Sequence, residues 1–261
     1  MMKRVFQILI WLIVLAGIGA ALAFMQIKHE ETICQGFELS IIDDNSDPLI
    51  DEASITAKII EATDTLTGKT LGEIDLKEIH SILQAIPFVL EGDVQTNISG
   101  YLSIKVKLRK AIIRVVNKNG LNYFIDEDGW LLPVYPGFPS RVMIANGNIN
   151  DNISKLEEKK IHYSTLNNAP LIAELYAMAL HINQSPFLKK MISQVWVDRN
   201  GNYELIPMVG SYTVKLGDGG SMTERFGKLE TFYREGAGKA GWIDYKTVDL
   251  RYENQIICSK K

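Results

Sequence analysis

Two glycine-containing segments are the strongest candidates for nucleotide chemistry in this sequence. Residues 236–241 read GAGKAG, which matches the G-x-G-x-x-G pattern of dinucleotide-binding loops letter for letter. That pattern binds pyrophosphate only between a strand and a helix, because the helix N-terminus must point at the phosphates. Here a predicted helix precedes the glycines and a predicted strand follows them, which indicates a solvated turn. Gly68-Lys69-Thr70 resembles the end of a P-loop, but Thr63 stands where that loop requires its first glycine.

Metal and catalytic patterns are also missing from the sequence. The acidic turn Asp126-Glu127-Asp128-Gly129 lacks the regular ligand spacing and the distal glutamate of an EF-hand calcium loop. No two histidines stand four residues apart, as on a metal-binding helix: they are His29, His80, His162 and His181. No G-x-S-x-G nucleophile elbow occurs. We therefore expect no metal, no cofactor and no catalytic residue, and we keep an undetected exported hydrolase as an alternative.

Charge and cysteine content exclude two further classes of protein. The formal net charge of −3 gives no basic surface of the kind that binds nucleic acid. Two cysteines in 261 residues exclude a disulfide framework. Cys34 and Cys258 leave room for one long-range bridge, although their separation along the chain favours two free thiols.

The N-terminus carries a run of 21 residues, Val5–Met25, that is apolar except for Gln7. As a helix rising about 1.5 Å per residue, the run spans roughly 31 Å, close to the thickness of a bilayer's hydrocarbon core. It therefore predicts one transmembrane helix over 5–25. A cleaved signal peptide is the alternative, because Ala21-Leu22-Ala23 fits a cleavage site. The apolar region of a signal peptide, however, is typically only about 7–15 residues long, which is shorter than this run.

Basic residues beside the apolar run predict its orientation. Lys3 and Arg4 precede it, and lysine and arginine are retained on the cytoplasmic side of a membrane. We expect residues 1–4 to form a cytoplasmic tail and residues 26–36 to form a polar spacer outside the membrane. The remainder of the chain should fold on the outside, as in a single-pass protein whose N-terminus is cytoplasmic.

Residues 37–116 show the pattern of a small α+β domain. Alternating apolar residues predict a strand over 37–41. Two helices follow, one over 54–65 and one over 76–86 that begins at the capping box Asp75–Glu78. Two alternating strands complete the order strand–helix–helix–strand–strand. The expected core joins the helices to the strands: Ile55, Ile59, Ile79, Leu83, Val94, Ile98, Leu102, Ile104 and Val106.

Residues 117–261 predict a larger β domain with flanking helices. Helices are expected over 170–181 and 221–234. Nine strands are expected between turns rich in Gly, Asn and Asp: 111–116, 122–126, 130–134, 141–145, 192–197, 203–206, 211–216, 247–252 and 255–259. The first of these strands stands at the junction of the two domains. The last two form a hairpin around Glu253-Asn254, so the terminal strand should offer an unpaired edge.

Several short sequence segments of this second domain resemble those of the FtsQ/DivIB family of bacterial cell-division proteins. Tyr123–Gly129 resembles the family's aromatic-x-Asp-x-x-Gly stretch, and Val195–Arg199 with Val214–Gly217 resembles its central strands. Thr247–Tyr252 is similar to its near-terminal strand motif. The likeness extends over the whole layout, since members have a short cytoplasmic tail, one membrane span, a POTRA domain and a β domain. One departure is Lys110-Ala111, where members often carry a proline, and this leaves the exact junction open.

The resemblance implies a non-catalytic scaffold at the inner membrane and the division septum. Family members bind the single-span proteins FtsB and FtsL outside the cytoplasmic membrane, and other division proteins through the POTRA domain. The partner site lies at the end of the β domain, and position by position it corresponds to these residues: Arg199, Arg251, Tyr252, Gln255, Ile256, Ile257 and Cys258. Lys260-Lys261 would guard that edge against indiscriminate pairing. Two purely structural interpretations stay open: Tyr252 is a buried core aromatic, and Arg199 is a turn residue without a partner-binding role. A POTRA-bearing transport or secretion component is the alternative function.

Overall fold

A computed structural model describes residues 2–42, 48–63, 66–97, 99–138, 140–151, 153, 156, 159–166, 169–237 and 245–261. The chain divides into two compact units. The first contains the N-terminal helix and continues to Leu108, and the second begins at Arg109 and also takes in a short segment ending at Ile50. The architecture is mixed α+β, as the sequence predicts.

A single long helix, α1 (Met2–Glu30), contains the apolar run. Its segment Leu9–Glu30 contains an 18-residue window with a mean hydropathy of 2.2, and the segment is long and apolar enough to cross a membrane, judged by length and composition. The helix continues beyond the predicted end of the span at residue 25, so the first part of the expected spacer is helical. Its last turn contacts the sheet of the first unit, since the His29 ring lies 3.0 Å from the hydroxyl of Thr96 in the strand Val89–Thr96.

The rest of the expected spacer is held by backbone hydrogen bonds. Cys34 N–H donates to the Lys69 carbonyl at 2.8 Å, and Gln35 N–H donates to the Gly100 carbonyl at 2.9 Å. The Thr32 carbonyl accepts from the backbone N–H of Leu71 at 2.9 Å. Residues 31–35 are therefore part of the folded first unit rather than a free tether.

Two helices lie beside a three-stranded sheet in the first unit. The elements are β1 (Gly36–Ile41), α2 (Glu52–Thr63), α3 (Leu76–Ala85), β2 (Val89–Thr96) and β3 (Tyr101–Leu108). The sheet order is β1-β3-β2, with β1 parallel and β2 antiparallel to β3. Asp75 begins α3 as predicted, because its carboxylate accepts from the backbone N–H groups of Lys77 and Glu78.

Most of the predicted core of this unit is buried. Seven of the nine residues are at most 1% exposed: Ile55, Ile59, Ile79, Leu83, Leu102, Ile104 and Val106. Val94 is only partly buried, and Ile98 lies outside the described residues. The sequence pattern missed buried residues in short segments, such as Leu71 in the 3₁₀ helix Leu71–Glu73 and Phe88 just before β2, because periodicity carries no signal there.

A ten-stranded mixed sheet forms the second unit. Its strands are β4 (Ala111–Val116), β5 (Asn122–Asp126), β6 (Trp130–Pro133), β7 (Met143–Gly147), β8 (Ile161–His162), β9 (Ile192–Val197), β10 (Tyr203–Pro207), β11 (Thr213–Gly217), β12 (Tyr245–Asp249) and β13 (Ile257–Lys260). Their order is β13-β12-β11-β10-β9-β7-β4-β5-β6-β8. The predicted domain boundary at residue 116 differs from this division by one strand, because β4 pairs with β5 and β7 in the large sheet.

Helices cover one face of the large sheet. They are α4 (Pro170–Gln184), α5 (Pro186–Met191) and α6 (Met222–Thr231), and a π-helical turn, Phe232–Ala237, follows the last. Inward residues of both layers are completely buried, among them Leu175, Met178, Val195, Leu205, Val214, Phe226, Leu229 and Val248. The sequence pattern did not predict α5. Most of the GAGKAG segment, residues 238–241, lies outside the described residues, and β12 begins soon after it.

Candidate functional site

Strand β13 forms one edge of the ten-stranded sheet. It pairs antiparallel with β12, and within the described ranges no strand pairs with its other side. The turn before it contains Asn254 with a φ of 56°, a left-handed conformation that asparagine tolerates better than most residues. An antiparallel edge strand leaves every second backbone N–H and C=O group unpaired. This edge can therefore accept an additional strand.

The predicted edge residues differ in where they lie. Ile257 stands on the strand and is 44% exposed, whereas Cys258 is half-buried against the core. Gln255 and Ile256 precede β13 rather than belonging to it, so the prediction placed the strand two residues too early. Burial raises the pKa of the Cys258 thiol, which keeps it protonated, and both Cys258 and Cys34 are free thiols.

Arg251 is held in one orientation just beyond β12. Its Nε and Nη2 donate to the two carboxylate oxygens of Asp249 at 2.9 and 2.6 Å. This paired hydrogen bond, more than any other contact, holds the pKa of Asp249 below its usual value. Gly217, at the end of β11, leaves room for the arginine, because a Cβ there would lie 2.9 Å from Arg251 Cγ. Asp249 and Gly217 together therefore fix the position of the guanidinium.

Tyr252 is an exposed side chain rather than a core aromatic. It is 45% exposed, and its backbone carbonyl accepts a 2.9 Å hydrogen bond from Lys228 Nζ of α6. Lys228 in turn pairs with Glu224 at 3.2 Å. The backbone at Tyr252 is thus tied to α6 while the ring faces solvent. A partly exposed tyrosine beside an open edge can bury its ring against an incoming chain.

Arg199 lies in the β9–β10 turn and is exposed. The Asp198 carboxylate organises this turn by accepting from the backbone N–H groups of Asn200 and Asn202 at 2.7 and 2.8 Å. Burial pushes the pKa of Asp198 upward, but these hydrogen bonds outweigh burial and lower it. The strand register places this turn at the same end of the sheet as Gly217 and Arg251.

The structure thus brings the predicted residues to one corner of the sheet, but not into one cluster. Arg251 and Tyr252 stand directly beside the start of β13. Arg199 is three strands away from β13, roughly 14 Å at about 4.8 Å per strand. At the other end of the edge, Lys261 Nζ donates to the Ser211 hydroxyl at 2.7 Å. Of the two predicted guard residues, one is therefore engaged with the protein itself.

Three residues that support the site escaped the sequence analysis. Asp249 orients Arg251, Gly217 makes room for it, and Lys228 fixes the backbone at Tyr252. The spacing Asp-x-Arg at 249–251 was a readable signal for a local ion pair. The contacts of Gly217 and Lys228 join distant parts of the chain, so spacing carries no signal for them.

Within the residues that the structure describes, no group of three or more His, Cys, Asp or Glu side chains is placed to hold a metal ion. The corner of the sheet around β13 offers a strand edge, an oriented cation and an aromatic ring. That combination is suited to binding a polypeptide.

Comparison with known proteins shows similarity to two family profiles and to a cell-division protein. The profile "FtsQ/DivIB, C-terminal related" matches residues 110–259, and the profile "POTRA-like domain" matches residues 32–107. The cell division protein FtsQ of Geobacter sp. (strain M21) is 26% identical over 204 residues, which cover 78% of this chain and 70% of that protein. The matched ranges meet where the two compact units divide.

Proposed function

The chain belongs to the FtsQ/DivIB C-terminal related family of cell-division proteins, and from this premise we propose that it is a membrane-anchored, non-catalytic divisome scaffold that binds a partner by strand addition. The observation that carries the proposal is the open edge of β13, with Arg251 and Tyr252 beside it. Backbone pairing at an edge supplies affinity, and neighbouring side chains supply specificity.

FtsB-like and FtsL-like single-span proteins are the proposed partners. The partner strand would lie antiparallel or parallel to Ile257–Lys260 and extend past the Tyr252 ring. A carboxylate on the partner would meet Arg251, whose guanidinium keeps donor groups for it although Asp249 already holds two. Arg199, roughly 14 Å from the β13 edge, would meet a second acidic group if the partner continues across the sheet end.

The proposed topology places the N-terminus in the cytoplasm and both folded units in the periplasm, with the protein at the division septum. The apolar helix near the N-terminus and the preceding Lys3 and Arg4 support this orientation. The similarity to a cell division protein, FtsQ, supports the division role. The transport alternative has less support, because only the first unit resembles a POTRA-type module and the second matches the division family.

A proline scan of the edge tests the proposal. Proline is placed in turn at Ile257, Cys258 and Ser259 of the full-length protein in detergent, and each variant is titrated with the soluble part of an FtsB-like protein. Proline removes a backbone N–H and adds a ring. Proline at a residue whose N–H points outward should therefore weaken partner binding. Proline at a residue whose N–H points to β12 should instead break a hydrogen bond between β12 and β13. Circular dichroism identifies folded variants. Parent affinity in every folded edge variant would place the interface elsewhere.

A further inference from the structure

A cleft in the second unit lies where three parallel strands begin. β4, β7 and β9 are neighbours that run in the same direction, so their first residues meet at one end of the sheet. The C-terminal end of α4 and the short helix α5 border this end. The cleft between them encloses about 820 Å³, a volume typical of ligand sites. Its lining comes entirely from this unit and does not include β13.

The cleft has an apolar floor and a cationic rim. Ile112, Ile182 and Ile192 line the floor and are 6, 3 and 3% exposed. Arg141 precedes β7, and Lys189-Lys190 lie on α5; all three side chains are exposed at the rim. None of the described residues that line the cleft carries a carboxylate. Because the whole chain carries a net charge of −3, this concentration of positive charge is not a general property of the surface.

The rim cations are not neutralised within the part of the chain that the structure describes. Neither Arg141 nor the two lysines form an ion pair there. The nearby carboxylate of Glu127 is engaged by an uncharged lining residue, since it accepts from Asn183 Nδ2 at 3.2 Å. The cleft therefore keeps a surplus of positive charge, which attracts anions.

The lysine side of the rim is fixed before a ligand binds. Ser185 caps α5, since its hydroxyl accepts from the Leu188 N–H at 3.3 Å and donates to Glu230 at 2.7 Å. Leu188 is completely buried and holds the helix against the core. These contacts thus hold the backbone that carries the two lysines, which lowers the backbone entropy lost on binding.

We propose that this cleft is a second docking site, which binds an acidic segment of a partner protein through an apolar side chain on the floor and carboxylates on the rim. The cations stand on two separate elements with apolar surface between them. A compact anion such as phosphate needs donors that converge on one point, whereas a peptide can place carboxylates on both sides of an apolar residue. The site is independent of the β13 edge.

A fluorescent peptide tests the docking site on the full-length protein in detergent. The probe is about a dozen residues long and carries glutamates on both sides of a central leucine pair; its matched probes replace the glutamates by glutamine or the leucines by serine. The cleft variant is Lys189→Glu/Lys190→Glu. The control variant, Lys77→Glu/Lys118→Glu, changes the net charge equally at two exposed lysines outside the cleft. Water-soluble dihexanoyl phosphatidylglycerol is titrated in a separate arm.

The expected result is saturable binding of the glutamate–leucine probe, weakened at least about tenfold in the cleft variant and unchanged in the control variant. Both matched probes should bind more weakly, and added salt should reduce affinity. Equal losses in the two variants would show attraction by net charge alone and overturn the proposal. So would an absence of probe binding to the parent, or cleft-dependent binding of the lipid without binding of the peptide.

Discussion

The two edges of the ten-stranded sheet are built in opposite ways. At one edge, β8 has only two residues and passes at once into a 3₁₀ turn, Tyr163–Thr165. Side chains pack densely around it: the His162 ring meets the Trp130 ring edge-on at 5.2 Å, and Tyr163 meets Tyr176 at 4.8 Å. At the other edge, β13 is twice as long and carries an exposed isoleucine with an exposed tyrosine nearby.

Each edge also has an arginine–aspartate pair, and the two pairs differ in burial. Near β8, Arg109 and Asp126 are 7 and 1% exposed and 2.7 Å apart. Burial raises the pKa of Asp126 even though Arg109 opposes that change. Near β13, Arg251 and Asp249 are 44 and 11% exposed. The first pair is therefore part of the folded interior, whereas the second presents a charge to solvent. An edge that accepts a partner strand must stay open, whereas other edges are protected, and this contrast agrees with the partner site proposed at β13.

Removing the buried carboxylate should have the largest effect on stability. Asp126→Ala leaves Arg109 buried without its close partner, and this change should lower the free energy of unfolding by about 3–5 kcal/mol. Asp128→Ala is the matched control, because that carboxylate is 60% exposed and lies 3.4 Å from the same guanidinium; it should cost less than about 1 kcal/mol. Urea unfolding followed by tryptophan fluorescence measures both. Equal unfolding midpoints for Asp126→Ala and the parent would mean that the β8 edge is not held by this pair.

Truncating the exposed tyrosine should affect binding rather than folding. Tyr252→Ala should weaken FtsB-like partner binding by about 2 kcal/mol, or roughly thirtyfold, if the ring is buried in the complex. The same change at Tyr163, beside β8, should leave the affinity unchanged. Isothermal titration of both folded variants makes the comparison. A larger loss at Tyr163 than at Tyr252 would reverse the roles assigned to the two edges.

A methyl group at Gly217 should displace Arg251 and weaken binding severalfold. Gly217 has a φ of +88°, and an added Cβ would meet the arginine. Gly120→Ala is the control, because Gly120 has a φ of +86° and no atom within 4 Å of an added Cβ. Both changes carry a backbone cost of about 1 kcal/mol, but only the first moves Arg251. Comparable affinities for the two variants would show that the position of Arg251 does not matter.

The smallest effect concerns pH. The folded-state pKa of Asp249 is lowered, so its contribution to stability is complete above the ordinary value of 3.8 and is lost as pH falls through the lower folded value. Asp249 should therefore stay ionised from pH 8 to about pH 5, and the Arg251–Asp249 pair should cause no change in partner affinity over that range. Titration of Asp249→Asn beside the parent isolates the pair. A drop in affinity between pH 7 and pH 5 that vanishes in Asp249→Asn would contradict this account.

The sequence predicted the elements better than their arrangement. Alternation at Leu102, Ile104 and Val106 predicted a strand, and Asp75 predicted the start of a helix, because both signals are local. The order of β4, β7 and β9 depends on parallel pairing between distant segments, for which local periodicity carries no information. The predicted start of β13 is two residues early, since Gln255 and Ile256 follow the turn at Asn254 but precede the strand.

Amide hydrogen exchange of the full-length protein, with and without the soluble part of an FtsB-like partner, tests the central claim most directly. Strand addition gives hydrogen-bond partners to the outward N–H groups of β13. The account predicts that exchange slows in Ile257–Lys260 and stays unchanged in Ile161–His162. Unchanged exchange at Ile257–Lys260 under saturating partner, or new protection at Ile161–His162, would contradict it.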